Sequence, residues 1–98
     1  MNLNSSQRKY LRSLAHHIKP SVYIGKNNIT KGAILSINEN LDVHELIKIK
    51  SHDNKLTSDN ISTIQKKINF SIVGQIGKTI IIYRQNVDKE LRKIKLPK

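Results

Sequence analysis

A chain of 98 residues is long enough for one hydrophobic core and too short for two, so a single domain over residues 1–98 is expected. Eighteen Lys and Arg oppose seven Asp and Glu, and the resulting formal charge of +11 attracts polyanions, nucleic acid first among them. Cysteine is absent and no apolar run reaches membrane-spanning or leader length; this excludes disulfide frameworks and thiolate metal sites, and the cytoplasm is the expected compartment, with no membrane partner.

In chain order, Asn4 offers an N-cap with Gln7 three positions on, and Leu11, Leu14, Ala15 and Ile18 follow at helical spacing until Pro20 ends the helix. Arg8, Lys9, Arg12, His16 and Lys19 fall largely on the other side, so this helix buries one stripe and offers a basic one. Val22 and Ile24 alternate as a short strand that stops at the turn formers Gly25-Lys26-Asn27-Asn28. Thr30 caps a second helix with the stripe Ala33, Ile34, Ile37 and Leu41, and Asp42 marks its exit.

Glu45 to Lys50 reads as a strand, with Ile47 and Ile49 on one face and Lys48 and Lys50 on the other. Residues 51–56 form a loop, and Thr57 or Ser58 caps a third helix carrying Ile61, Ile64 and Ile68. Ser71 to Gln75 and Thr79 to Arg84 form a hairpin around Gly77, and from Asn86 to Lys98 the chain is charged and expected to be loosely held. The order α-β-α-β-α-β-β predicts a two-layer α/β sandwich. Right-handed crossovers place the second and third helices on one face of a mixed four-stranded sheet. The last two strands are too close in sequence for a parallel pair.

The 25–28 turn lies between a strand and a helix, where backbone N–H groups and the positive end of the helix dipole suit a phosphate. Lys26 adds charge there, and the amides of Asn27 and Asn28 can bond a sugar or phosphate. Any strand-to-helix turn can use Gly and Asn, so the pattern alone also fits a plain turn. The four histidines lack metal-ligand spacing, the seven carboxylates are explained by caps, loops and solvated faces, and no nucleophile elbow or phosphate loop is present. No metal, cofactor, small-molecule substrate or catalysis is therefore expected. Tyr10, Tyr23, Phe70 and Tyr83 are too few and scattered for a base-stacking platform and are expected to serve mainly in packing, although Tyr10 and Tyr23 could partly reach a ligand. One compositional reading competes with the nucleic-acid reading: 16 Ile, 14 Lys and 10 Asn are what an A/T-rich coding bias would raise together. Such a bias does not explain why only seven acids remain.

The run from Gln7-Arg8-Lys9-Tyr10-Leu11-Arg12 to His16-His17-Ile18-Lys19-Pro20 leads into Ile24-Gly25-Lys26-Asn27. His44-Glu45-Leu46-Ile47-Lys48, Ile76-Gly77-Lys78-Thr79 and Tyr83-Arg84 follow. At these spacings the chain resembles, over residues 3–84, the CRM domain, the family named for chloroplast RNA splicing and ribosome maturation, and in length its stand-alone bacterial YhbY-like members. The resemblance implies four strands and three helices similar to the C-terminal domain of bacterial translation initiation factor three. It also implies RNA binding without catalysis, associated in bacteria with large ribosomal subunit precursors and in plants with intron splicing. The family's G-x-x-G loop maps onto Gly25 to Asn28, with Asn28 in place of its last glycine.

Together these readings single out Gly25, Lys26, Asn27, Asn28 and Lys31 as RNA contacts, extended along the first helix by Arg8, Arg12 and Lys19, with Lys48, Lys50, Lys78 and Arg84 in second rank. The expected partner is structured ribosomal RNA in a large-subunit precursor, held mainly through phosphates by a monomer. The alternatives are a basic adaptor for an acidic protein in a ribonucleoprotein and a splicing-type cofactor.

Overall fold

A computed structural model describes residues 2–25, 29–52 and 54–98. Each long helix starts where a side-chain oxygen meets an orphan N–H. Asn4 and Gln7 close a reciprocal capping box on α1 (Ser5–Ala15), Thr30 accepts from the Ala33 N–H on α2 (Lys31–His44), and Thr57 with Asn60 repeats the box on α3 (Ser58–Gln65). The strands β1 (Val22–Ile24), β2 (Leu46–Ser51), β3 (Ser71–Ile76) and β4 (Thr79–Tyr83) form one sheet in the order β1-β2-β4-β3. β1 runs parallel to β2, and β4 is antiparallel to both of its neighbours, so the sheet is mixed as predicted. Gly77, at φ +58, makes the tight turn from β3 to β4 with Lys78.

The β2 alternation sorts the core into two clusters. Ile47 and Ile49 join Val22, Ile24, Ile80 and Ile82 beneath Ile37 and Leu41 of α2 and Ile61 and Ile64 of α3, which puts both helices on one face as the crossover rule requires. The other face carries a second cluster, in which Leu11 and Ala15 of α1 pack with Leu46, Val73, Ile81 and Tyr83. Helix α1 thus adds a partial third layer to the α/β sandwich. Gly74 of β3 lies against Arg12 of this helix, whose Cδ is 3.3 Å from where a Cβ would stand.

Two sequence expectations need correction at the pole where α2 ends. Glu45 is not the first residue of a strand. It closes α2 at φ 63, its N–H donating to the Leu41 carbonyl, and among the described non-glycine residues it alone has positive φ. Its side chain supplies the reason for a strained non-glycine there: the buried carboxylate accepts the N–H groups of Asn86 at 2.6 Å, Lys93 at 2.6 Å and Ile94 at 3.1 Å. Consequently the segment after Asn86 is not loosely held. Ile94 and Leu96 pack on the α1 cluster, Lys89–Leu91 form a short 3-10 turn, and the Pro97 carbonyl accepts from Gln7 Nε2.

Tyr83, buried beside this carboxylate, has a hydroxyl with no hydrogen-bond partner among the described residues. Burial, and then the nearby Glu45 charge, push its phenol from 10.0 up to about 12, against an opposing pull from Arg92. The unfolded chain sheds this proton near pH 10 and the folded chain only near pH 12, so the contribution of Tyr83 to stability is whole below pH 10 and is lost as pH rises through that window. Denaturant unfolding at pH 8 and pH 11 checks this. Tyr83→Phe should match or exceed the parent at pH 8, since only an unpartnered hydroxyl is removed, and should lose less stability on going to pH 11.

Candidate nucleic-acid interface

The parallel pairing of β1 and β2 brings the ends of both strands to one pole, with Tyr23 beside Lys50 and Ile24 beside Ser51. The β3–β4 turn joins them there, because the Ser51 N–H donates to the Lys78 carbonyl at 2.8 Å and Lys50 pairs with Thr79. Gly25 leaves β1 at this pole and α2 begins there, with Lys31 exposed in its first turn. No acid occupies that first turn, although a carboxylate would stabilise the helix start. The helix forgoes this stabilisation and its N-terminal end stays cationic, which suits an incoming anion.

Gly25 is exposed, its φ is not positive, and a Cβ built on it would meet nothing within 4 Å. The domain's own packing therefore does not require glycine here; what the missing side chain leaves is bare backbone open to a ligand. Lys26, Asn27 and Asn28 lie outside the described residues.

The sheet carries the remaining cations to different places. Lys48 lines a surface pocket of about 230 Å³ with Arg12 of α1, His16 just after it, and Ile76, Thr79 and Ile81, so Arg12 and Lys48 converge beside the β3–β4 turn. Lys50 and Lys78 are exposed at the same pole. Lys19 is exposed near the start of β1, where the Ser21 N–H donates to the Lys48 carbonyl at 2.9 Å. Arg8 lies toward the other end of α1, donating to the Leu3 carbonyl at 2.9 Å and lining a pocket with Gln65 and Phe70. Arg84 lies at the far pole, where its guanidinium donates to Asn38 Oδ1 and to Asp42 Oδ1, each at 2.7 Å. The two arginines are thus separated from Gly25 and the end of β1, whereas Lys31, Lys48, Lys50, Lys78 and Arg12 gather towards that pole.

The far pole also collects Asp42, Glu45, Asp88 and Glu90, four of the seven carboxylates, with Arg84 and Arg92 beside them. Drawing acids to one end leaves the cations at the other with fewer counter-charges and a stronger field. Two surface features were only partly foreseen: Tyr23, expected mainly to pack, is 67% exposed, and His16, placed with Arg12 on the basic stripe, shares the pocket of Arg12 with Lys48. Tyr23 lies beside Lys50 at the β1 edge of the face that α1 covers only in part, an outcome of strand register; the sole trace of it in the sequence is the alternation of Val22 and Ile24 about Tyr23. Among the described residues, no group of three His, Asp or Glu side chains is placed to hold a metal ion. No helix among them is long and apolar enough to cross a membrane.

A mixed α/β domain with one cationic pole and an exposed glycine, Gly25, where β1 ends is the architecture these features define. The chain belongs to the CRS1 / YhbY (CRM) domain family, whose model matches residues 3–84. It is 35% identical over 98 residues to a Haemophilus influenzae protein named "RNA-binding protein", with 98% of this chain and 96% of the relative covered. It is 34% identical to the Bacillus subtilis protein named "Probable RNA-binding protein YqeI", with 97% of this chain and 99% of the relative covered. Among solved structures it is similar to the solution structure of a Staphylococcus aureus protein described as a candidate RNA-binding protein. That match has a TM-score of 0.73 and 34% identity, and covers 98% of this chain and 100% of the other.

Proposed function

We propose that this chain is a non-catalytic, cytoplasmic, monomeric RNA-binding protein that grips structured ribosomal RNA in a large-subunit precursor. The observation that carries the reading is the gathering of the exposed Gly25, the acid-free start of α2 and the side chains of Lys31, Lys48, Lys50, Lys78 and Arg12 toward one pole. Backbone N–H groups and ammonium groups in such a cluster contact phosphates, which gives affinity with little sequence discrimination; the RNA is then chosen by shape. The naming of full-length relatives as RNA-binding proteins supports the same partner. Lys26, Asn27 and Asn28 extend the grip in this reading, and Lys19 continues it along the start of β1.

Sedimentation of cell lysate through a sucrose gradient tests the ribosomal part. The protein is expected with precursors of the large subunit and to leave them after ribonuclease treatment or in high salt. Binding to purified ribosomal RNA no stronger than to heparin at matched salt, with no ribosomal particle carrying the protein, would sink the proposal in favour of an acidic protein partner.

A further inference from the structure

Helix α1 covers the Leu46, Ile81 and Val73 side of the sheet and stops short of its β1 edge. What stays open is one row across all four strands, because Tyr23 pairs with Lys50, Lys50 with Thr79, and Thr79 with Ile76. Paired residues point to the same face, and neighbouring strands lie about 4.8 Å apart, so the row is about 14 Å long. Its two ends are unusually bare for their size, with Tyr23 at 67% exposed and Ile76 at 63%. Lys50 is exposed between them, and Lys48, Arg12 and His16 line the adjoining pocket, to which the described residues contribute no acid.

We propose that this row is a stacking site for unpaired nucleotides of the bound RNA. The tyrosine face takes one base, Ile76 supports a second base further along the strand, and the ammonium groups of Lys50 and Lys48 hold the phosphates between them. Thr79 offers a hydroxyl to a base edge or a 2′-hydroxyl. The inference rests on the RNA-binding reading and adds to it a second contact with a different preference, because stacking requires a base outside a helix whereas phosphate contacts do not. The chemistry of the row selects this occupant. An apolar protein surface would have to bury Lys48 and Lys50 without counter-charges, which is costly, whereas a nucleotide brings an apolar ring and a negative charge together.

The test uses two RNAs of equal length and charge, one a perfect hairpin stem and one interrupted by an internal single-stranded bulge. The parent should bind the bulged RNA more tightly. Tyr23→Ala should lower affinity for the bulged RNA by roughly ten-fold or more while changing stem binding less than two-fold, and Tyr23→Phe should restore the preference. Tyr23→Trp gives the chain its only tryptophan, and its fluorescence should be quenched by the bulged RNA and much less by the stem. If the parent binds neither RNA, the RNA-binding reading itself fails. If it binds both and Tyr23→Ala weakens both equally or neither, the stacking site is wrong and phosphate binding stands. A parent that is dimeric without RNA and becomes monomeric as Tyr23→Ala would assign the row to a second copy of the chain and overturn the proposal.

Discussion

Glu45→Gln should destabilise the domain by about 2–4 kcal/mol and lower its melting temperature by roughly 10–20 °C. The carboxylate uses both oxygens, Oε2 for the Asn86 N–H and Oε1 for those of Lys93 and Ile94. Glutamine keeps one acceptor and turns an NH2 group towards a backbone donor, so at least one buried N–H loses its partner and the remaining bonds lose their charge assistance. The loss should be local at first. Amide exchange at Asn86, Lys93 and Ile94 should speed up before that of Ile47 or Ile82 in the core, because all three of these amides donate to this one side chain while the rest of the segment is held by a small apolar seam and a few bonds such as that from Gln7 to Pro97. A variant within about 0.5 kcal/mol of the parent, with unchanged exchange at those three amides, would show that Glu45 does not latch the segment.

Reversing charge at Lys26 and Lys31 together should weaken binding to structured RNA on the order of ten-fold at physiological salt. It should also flatten the plot of log affinity against log salt by about two counterions' worth of slope. Lys66→Glu with Lys67→Glu makes the same change in net charge at the other end of α3 and is the control, because these lysines end a helix whose start lies near Gln75 of β3. If net charge alone drives binding, the two double variants behave alike. If the turn and the start of α2 hold phosphates, only the first flattens the slope strongly. An unchanged slope in the Lys26 and Lys31 variant would remove the turn from the interface.

The local chemistry of the elements was legible residue by residue. Asn4 with Gln7, Thr30, and Thr57 start helices because their oxygens have no better use than the orphan N–H groups beside them, and Gly77 turns the hairpin at the positive φ that its lack of a Cβ permits. The alternation of Ile47 and Ile49 with Lys48 likewise fixed which face of β2 is apolar. Glu45 was misread because His44-Glu45-Leu46-Ile47-Lys48 continues smoothly into a strand, and its true partners are three backbone groups more than forty residues away. The charged tail concealed its anchors for a related reason. Ile94 and Leu96 alternate with lysines as an edge segment would, a signal outweighed by the surrounding charge.

By itself, then, the sequence determined the order of helices and strands, the mixed sheet, the cationic excess and the glycine turn that begins the candidate site. These depend on propensity, periodicity and charge, which act over a few residues or over the whole chain at once. Only the tertiary structure decided that Arg84 pairs with Asp42 at the far pole, that α1 leaves Tyr23 and Ile76 uncovered, and that Glu45 binds the C-terminal segment. Those outcomes depend on strand register and helix placement, which set distances between residues far apart in the chain, and no local pattern encodes such distances.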